Sequence, residues 1–326
     1  MTRSRLAPGT GIVTVPGGAP VLRTSGGEFL RIDTGGVTGE DLVRRLAGEG
    51  APEEETPDEG AQTAELGRLV EAFEAAGYAL STPPRAPLAG RTVHVLGDPV
   101  LTAPVARCAG AEGAEVHRIT PDGVAELARV APDDGAEGRV AVVWCLDSPV
   151  PEGLWDTADR LPGRRIAWLR CHREGAHSWM EPLAAAPGDV TSRHIRLRRL
   201  AATPAHRELA AYWAGHRTPD TGPHPTEASA ALIAALLTAD LIAWAEAEAE
   251  AEAEAEAEAE AEAGEVEGAG TGRTTVLPVR RRLRRIDLRD LTLTEHPVLP
   301  VPDVAPLPAP AAVRTRAAAG TAEARP

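Results

Sequence analysis

The chain has 326 residues, which is enough for two compact domains with tails. Its formal net charge of −14 argues against a general nucleic-acid-binding protein, because such proteins are usually basic. Three cysteines form neither a disulfide framework nor a paired zinc spacing, so we expect a reduced, cytoplasmic protein. The sequence has no run of about 18 or more apolar residues, and its basic N-terminus lacks the apolar segment of a signal peptide. We therefore expect no membrane span.

Three short strands are predicted near the N-terminus. Apolar stretches at 11–15, 21–24 and 28–33 are separated by two turn signals, Pro16-Gly17-Gly18 and Ser25-Gly26-Gly27. Alternation of polar and apolar residues in the third stretch is typical of a strand with one face covered.

Two helices are predicted after these strands. The first begins at Thr38, which with Asp41 forms a capping-box pattern. The second covers 62–76, and Gly77 is placed as its C-cap. Three strands followed by helices predict a winged-helix-like domain at 10–82, of the α+β class.

The middle of the chain predicts a parallel, doubly wound α/β domain, because strand and helix patterns alternate after a Pro-rich linker at 83–89. The apolar run 140–145 indicates a strand that is buried on both faces. Strands are predicted at 92–96, 115–117, 140–145 and 165–169, and helices at 99–110, 124–130, 153–161, 192–202, 205–214 and 225–244.

The first strand of this domain ends in a loop that lacks a dinucleotide fingerprint. Such a loop needs further glycines, so that the backbone approaches a pyrophosphate at the helix N-terminus. Here a single glycine, Gly97, is followed by Asp98, which places negative charge at that point, and by Pro99, which has no N–H. The sequence therefore predicts that no nucleotide cofactor is bound here.

Pure Ala-Glu alternation occupies 245–263. Intrinsic propensity favours continuation of the preceding helix, while repulsion between glutamates four residues apart opposes it. We expect a solvated helical extension that frays, produced by replication slippage in preference to selection for an acidic arm. Short strands are predicted in 274–298, and 1–9 and 303–326 are expected to be disordered.

A group of thiol and imidazole side chains raises the question of chemistry. Cys171 and His172, with His177 and His194 nearby, have the residue types of a nucleophile or a metal site, but no orienting partner is evident. A cysteine at a strand end with histidines in loops is the favoured interpretation. We therefore predict no catalytic residue and no metal ligand in this group.

Other polar residues leave two interpretations open. Cys145 and Asp147 follow a buried strand, where a Rossmann-like fold places ligand contacts, although loop capping is favoured. Two arginine clusters have the charge to hold an acidic peptide or a phosphate, and they serve equally as solvated faces or as partners of the Ala-Glu tract. The clusters are Arg193, Arg196, Arg198 and Arg199, and Arg280, Arg281, Arg282, Arg284 and Arg285.

Two regions together resemble proteins of azoline-forming peptide clusters. Residues 179–182 (WMEP) and 186–188 (APG), which precede an Arg-rich helix, look like the Gly-Pro…Pro-Gly segment of ThiF-like (ubiquitin-activating-enzyme-like) proteins. Residues 296–302 (HPVLPVP) look like the terminal His-Pro-Val-x-x-x-Pro segment of that family. Residues 10–82 resemble a RiPP recognition element, the winged-helix-like domain that captures the leader of a ribosomally made precursor peptide.

The chain departs from the ThiF-like pattern at both expected cysteine pairs. Residues 189–193 and 303–306 contain no cysteine, and a structural zinc needs four N or S ligands. The resemblance therefore implies a degenerate ThiF-like α/β domain at 90–302, with neither zinc nor a nucleotide cofactor.

The resemblance implies a non-catalytic protein that binds a precursor leader and delivers it to a separate YcaO-type cyclodehydratase in azole, azoline or thiopeptide-like biosynthesis. It also implies a homodimer, with neither nucleic acid nor membrane as a partner. Two alternatives are a divergent ThiF-like enzyme that binds a nucleotide, and a winged-helix regulatory protein.

The residues expected to bind the leader lie on the strand 28–33 and the helix 62–76. An exposed strand edge offers unpaired N–H and C=O groups to which an extended peptide adds as a further strand, and the helix provides a wall for peptide side chains. The candidate residues are Glu28, Leu30, Arg31, Arg68 and Glu71.

Overall fold

The protein is described here by a computed structural model that covers residues 4–15, 18–47, 60–82, 85–129, 139–146, 153–216, 218, 225–261 and 277–301, with the backbone alone for 60–62 and 256–261. The chain divides into two compact units, Met1–Ala86 and Pro87–Pro326. The division falls within the Pro-rich segment 83–89. The predicted C-terminal tail, 303–326, and Asp147 lie outside the described residues.

The N-terminal unit contains a three-stranded antiparallel sheet and two helices. Its elements are β1 (Arg5–Leu6), β2 (Gly11–Val13), β3 (Val21–Arg23), β4 (Phe29–Arg31), α1 (Gly39–Ala47), α2 (Gly60–Ala75) and β5 (Ala79–Leu80). The sheet has the order β2-β3-β4, and β1 pairs with β5. Both helices and the three sheet strands lie where the sequence predicts them, whereas residues 5–6 form a strand inside a stretch that was expected to lack structure.

Local signals fix both helix ends that the sequence singles out. The N–H of Asp41 donates to the Thr38 hydroxyl at 3.1 Å, which caps α1. At the end of α2, Gly77 has a φ of 75°, and the N–H of Tyr78 donates to the Phe73 carbonyl at 2.8 Å. This is a Schellman motif, in which a residue without a side chain takes the left-handed conformation.

The core of this unit joins the sheet to both helices. Leu22 of β3 packs with Leu42 and Leu46 of α1 and with Val70 and Phe73 of α2, and all five are buried. Burial of these side chains fixes which face of the sheet the helices cover.

The second unit is a seven-stranded sheet with helices on both faces. Its strands are β6 (Thr92–Gly97), β7 (Glu115–Arg118), β8 (Val140–Leu146), β9 (Ala167–Glu174), β10 (His177–Met180), β11 (Arg282–Asp287) and β12 (Leu293–Pro297). Its α-helices are α3 (Pro99–Ala111), α4 (Pro121–Arg129), α5 (Leu154–Ala158), α6 (Ser192–Ala201), α7 (His206–Trp213) and α8 (Glu227–Ala261). The strand order is β7-β6-β8-β9-β10-β11-β12.

The sheet changes from parallel to antiparallel at β9. Strands β7, β6, β8 and β9 are parallel, and β9 to β12 are antiparallel. The predicted parallel domain is therefore right for the first half of the sheet and wrong for the second. Because β9 continues to Glu174 and turns through Gly175-Ala176 into β10, Cys171, His172 and His177 lie in strands and not in a loop.

Helices pack on both faces of the central strands, as a strand buried on both faces requires. Val143 and Cys145 of β8 belong to the core formed with α3 and α8. Val142 and Trp144, which alternate with them, belong to the core formed with α4 and α5. The unit is a three-layer α/β/α structure around a mixed sheet.

Helix α8 combines a core segment with the Ala-Glu tract. Among the described residues it is the one helix long and apolar enough, by composition, to cross a membrane, and 56% of the apolar window is buried. Leu237 and Leu241 are fully buried against the sheet. The tract continues the helix as predicted, and Glu248 in its first turn accepts a hydrogen bond from the Arg280 guanidinium at 2.5 Å. The beginning of the tract is thus bound to the domain, whereas Glu250 and Glu254 are exposed.

A buried ion pair joins β9 to the start of α6. Arg170 and Glu181 are in contact, and they are only 2% and 3% exposed. The Ser192 hydroxyl donates to the second Glu181 oxygen at 2.7 Å. The guanidinium carbon of Arg170 lies 4.3 Å from the ring centroid of Trp155. Neither charge reaches solvent, so each depends on the other.

Replacement of Glu181 by Ala is expected to lower the free energy of unfolding of this unit by about 3–5 kcal/mol, because it leaves the Arg170 charge buried and uncompensated. The double variant Arg170→Met/Glu181→Leu should lose much less, because no charge then remains buried. Urea titration followed by Trp fluorescence measures this unit selectively, since all six tryptophans lie in it. Equal losses in the single and double variants would contradict the assignment.

Candidate functional site

Strand β4 is an edge of the N-terminal sheet, and it is the strand on which the sequence places three candidate residues. Within the described residues it pairs with β3 alone. The register sets Leu22 opposite Leu30 and Arg23 opposite Phe29. One long side of β4 therefore has no neighbouring strand in the part of the chain that the structure describes.

The hydrogen bonds that flank β4 show which of its backbone groups face outward. The N–H of Thr24 donates to the Glu28 carbonyl at 2.9 Å, and the N–H of Ile32 donates to the Pro20 carbonyl at 3.4 Å. Bonded and non-bonded pairs alternate along an antiparallel ladder, so Leu30 also directs its N–H and C=O groups to β3. The backbone groups of Phe29 and Arg31 point away from the sheet, toward the open edge.

Side chains alternate in the same way. Leu30 lies on the face of Leu22, which packs against the helices, and it is 37% exposed. Phe29 and Arg31 lie on the opposite face, where Phe29 is 62% exposed. Of the predicted site residues, Leu30 lies on the helix side and Arg31 on the other face, whereas Glu28 precedes β4, after the turn that follows β3.

Helix α2 contacts the turn between β4 and α1 through Glu65. A carboxylate oxygen of Glu65 accepts the N–H of Gly36, in the turn after β4, at 3.2 Å. With about 100° per residue, Arg68 lies on the same flank of the helix as Glu65. Glu71 lies nearer the flank of Glu74, whose carboxylate accepts the Ser4 hydroxyl at 2.5 Å on the other side of the unit.

Of the two α2 candidates, Arg68 therefore lies on the flank of the helix that contacts the turn between β4 and α1. Glu65 was not among the predicted residues. Its bond to Gly36 spans 29 positions of sequence, and no local pattern signals such a contact.

Two arginines of the sheet lie on the outer face beside this edge. Arg23 and Arg31 are exposed, and neither has an ion pair within the described ranges. By contrast, Arg44 of α1 lies 3.1 Å from Asp41. The edge therefore combines outward backbone donors and acceptors, an exposed aromatic ring and unpaired guanidinium groups.

In the second unit, the loop that would hold a nucleotide is closed by its own backbone. Gly97 has a φ of 128°, and a Cβ there would overlap the carbonyl oxygen of Cys145. The N–H of Asp98 donates to that same carbonyl at 2.9 Å, and Leu101 and Thr102 donate to the carbonyl of Asp98. Because Pro99 has no N–H, Val100 is left as the donor in the first turn of α3. A pyrophosphate requires several such donors.

The Cys and His side chains have separate local partners. Cys171 Sγ lies 3.1 Å from Ser178 Oγ in the core, and burial raises the pKa of the neighbouring Cys145 thiol. His194 Nδ1 accepts the N–H of Thr191 at the start of α6. Within the described residues no three His, Cys, Asp or Glu side chains gather as a metal site. This arrangement offers no activated nucleophile, because burial disfavours the thiolate.

His172 belongs to a buried group with Glu174 and Arg199. His172 Nε2 lies 3.1 Å from Glu174 Oε1, and Arg199 donates to both oxygens of Glu174. Burial lowers the pKa of His172 to about 4, and Arg170 adds to this effect, while Glu174 opposes it. Although burial opposes it, hydrogen bonds from His172 and Arg199 hold the pKa of Glu174 well below its ordinary value.

Most arginines of the two clusters form ion pairs with acidic side chains of the second unit. Arg196 bonds to Asp156 at 2.7 Å, and Arg282 and Arg284 each bond to the buried Asp240 at 2.6 Å. Arg280 holds Glu248 of the Ala-Glu tract. Pairing with the Ala-Glu tract, which is one of the interpretations that the sequence leaves open, accounts for Arg280. Arg196, Arg282 and Arg284 pair instead with Asp156 and Asp240, which no sequence pattern predicted.

The buried His172 predicts an acid-sensitive stability. Between its ordinary pKa of 6.5 and its folded pKa of about 4, the unfolded chain binds a proton that the folded chain does not. Stability from this group is thus lost as the pH falls through that window, by about 2 kcal/mol between pH 7 and pH 5. Urea titrations at both pH values should show this loss in the wild type and in the exposed-site control His206→Gln, and not in His172→Gln. An equal loss in all three would contradict the prediction.

Comparison with solved structures identifies proteins that share this fold. No protein family profile and no curated protein matches the sequence. Among solved structures, a heterocyclase in complex with substrate and cofactor is similar over 91% of this chain and 38% of its own, with a TM-score of 0.56 and 11% identity. The heterocyclase TruD is similar over 92% of this chain and 42% of its own, with a TM-score of 0.55 and 16% identity.

A chain of the E. coli microcin synthetase McbBCD complex is a weaker match, with a TM-score of 0.43 and 12% identity over 93% of this chain and 99% of its own. The two heterocyclases show that this chain shares their fold across both of its units. The chain spans about two fifths of the length of these two heterocyclases.

Proposed function

We propose that this protein captures the leader of a ribosomally made precursor peptide by adding it as a strand along β4, and presents the peptide to a separate YcaO-type cyclodehydratase. The observation that carries the proposal is the outward direction of the backbone groups of Phe29 and Arg31 at an edge with no neighbouring strand among the described residues. Main-chain bonds then supply affinity, and adjacent side chains supply specificity.

Exposure of Phe29 supports a partner at this edge. An uncovered strand with an exposed aromatic side chain is a liability for aggregation, which proteins avoid by covering or charging the edge. A bound peptide would cover the Phe29 ring and pair with the open backbone groups. Helix α2, which contacts the turn between β4 and α1 through Glu65, would form the wall on the other side of the peptide.

The second unit is the reason for assigning ring formation to a separate protein. In the loop after β6, Val100 is the residue left with an N–H donor in the first turn of α3, whereas a pyrophosphate requires several donors. We therefore assign the nucleotide-dependent, ring-forming step to the partner. Holding the peptide beside that partner raises its effective concentration. The resemblance to ThiF-like proteins also suggests a homodimer.

The test exploits the direction of one N–H group. Fluorescein-labelled synthetic peptides of twenty residues, which together cover the short open reading frames beside the gene, are titrated with the full-length protein by fluorescence polarisation. We expect one set of overlapping peptides to bind. Arg31→Pro should weaken that binding at least fivefold more than Arg31→Ala, since only proline removes the outward N–H.

Because the N–H of Arg31 does not bond to β3, the proline should leave the sheet intact, which circular dichroism and thermal unfolding would check. Equal affinity of folded Arg31→Pro and Arg31→Ala proteins would defeat the proposal, as would a lack of binding by every peptide in the set.

A further inference from the structure

The outer face of the N-terminal sheet carries an ordered pattern of side chains beside the open edge. Phe29 and Arg31 lie on this face of β4, and the register places Arg23 of β3 opposite Phe29 and Val21 opposite Arg31. Directly opposite side chains on one face have their Cβ atoms about 5 Å apart. Phe29 therefore has a guanidinium on its inner side, and Arg31 has an apolar neighbour.

Neither guanidinium is neutralised within the described part of the unit. Arg44 on α1 has both Glu40 and Asp41 within 4 Å, whereas no acidic side chain of the described residues forms an ion pair with Arg23 or Arg31. Glu28, just before β4, and Asp33, just after it, are also exposed, so the positive charge belongs to Arg23 and Arg31 on the outer face and not to the whole edge. A strand that pairs with β4 places one side chain opposite Phe29 and another, two positions away, opposite Arg31.

The side chain between those two points the other way. In the added strand it lies opposite Leu30, on the helix side of the sheet, where Leu30 is 37% exposed. An apolar side chain there extends the core formed around Leu22. Three consecutive residues of the partner are therefore specified by three neighbours of different chemistry.

We infer that the peptide bound at β4 carries an acidic residue opposite Arg31, an apolar residue opposite Leu30 and an apolar or aromatic residue opposite Phe29. Antiparallel pairing, the more stable arrangement, gives the order acidic, apolar, apolar from N- to C-terminus. The inference rests on the proposed strand addition and names the chemistry of the peptide. Arg31 is then the residue that determines specificity.

The acidic residue should contribute a modest and salt-sensitive part of the affinity. Both groups of the pair stay exposed, and cross-strand ion pairs on a sheet surface are weak. We expect a two- to fivefold loss when the acidic residue of a bound peptide is changed to Ala. That difference should shrink at 0.5 M salt, because exposed charges are then screened.

The test uses selection from random peptides, so that no known ligand is needed. An mRNA-display library of random twelve-residue peptides is selected on the immobilised full-length protein, and peptides that Arg31→Pro also retains are removed. The wild-type pool should be enriched in Asp or Glu two positions before an apolar or aromatic residue. Selection on Arg31→Glu should replace the acidic residue by Lys or Arg and leave the other two positions unchanged.

The matched control is Arg107→Glu, which reverses an exposed charge on α3 in the second unit and should give the wild-type pattern. Synthetic peptides with the acidic residue or with Arg, measured against wild type and Arg31→Glu, complete a double-mutant cycle. If wild type and Arg31→Glu enrich the same peptides, and Arg31→Pro retains none of them, this inference alone is overturned. If no peptide is enriched on the wild type and lost on Arg31→Pro, the proposed function is overturned as well.

Discussion

A backbone amide at the edge of a sheet hydrogen-bonds either to water or to an added strand. The function proposed for the N-terminal unit depends on this alternative. The ladder between β3 and β4 uses the groups of Leu30 and leaves those of Phe29 and Arg31 directed outward. The pattern follows from the geometry of antiparallel pairing and does not depend on the identity of the side chains. The side chains of Phe29, Leu30 and Arg31 determine only which sequence binds there. They offer an exposed ring, a partly exposed leucine and a guanidinium without an ion pair among the described residues.

In the second unit, by contrast, several charged side chains are paired internally. Arg170 with Glu181, and Arg284 with Asp240, place charges in the interior together with their partners. The loop after β6 uses its own carbonyl groups to satisfy the N–H groups that a nucleotide would need. This contrast is why we place peptide recognition in the first unit.

The sequence predicts much of this structure wherever a local pattern determines it. The Thr38 cap, the Gly77 C-cap and the strand buried on both faces all follow from short-range rules, and the structure contains each of them. The hairpin from β9 to β10 was missed, because the polar residues around Gly175 conceal two strands whose burial comes from distant helices. The bond from Glu65 to Gly36 was missed for the same reason, since a contact across 29 positions leaves no periodic signal.

The candidate site was predictable only in part. The sequence predicted the strand and named Leu30 and Arg31 together as peptide-binding residues, whereas the structure places them on opposite faces. The direction of each backbone group depends on the register with β3, which sequence alone does not supply. Likewise, helical spacing relates Arg68 to Glu71, and only the bond from Gly36 to Glu65 shows which of the two lies on the flank of α2 that contacts the turn between β4 and α1. Register and helix rotation are tertiary properties, and the choice between otherwise equivalent residues depends on them.

Residue-resolved amide hydrogen exchange on the full-length protein, with and without a bound leader peptide, tests the central claim most directly. Strand addition at β4 predicts that the amides of Phe29 and Arg31 exchange quickly in the free protein and become strongly protected when the peptide binds. The amide of Leu30, which already bonds to β3, should change little. Protection confined to the second unit, or an unchanged rate at Phe29 and Arg31 in the saturated complex, would contradict the account.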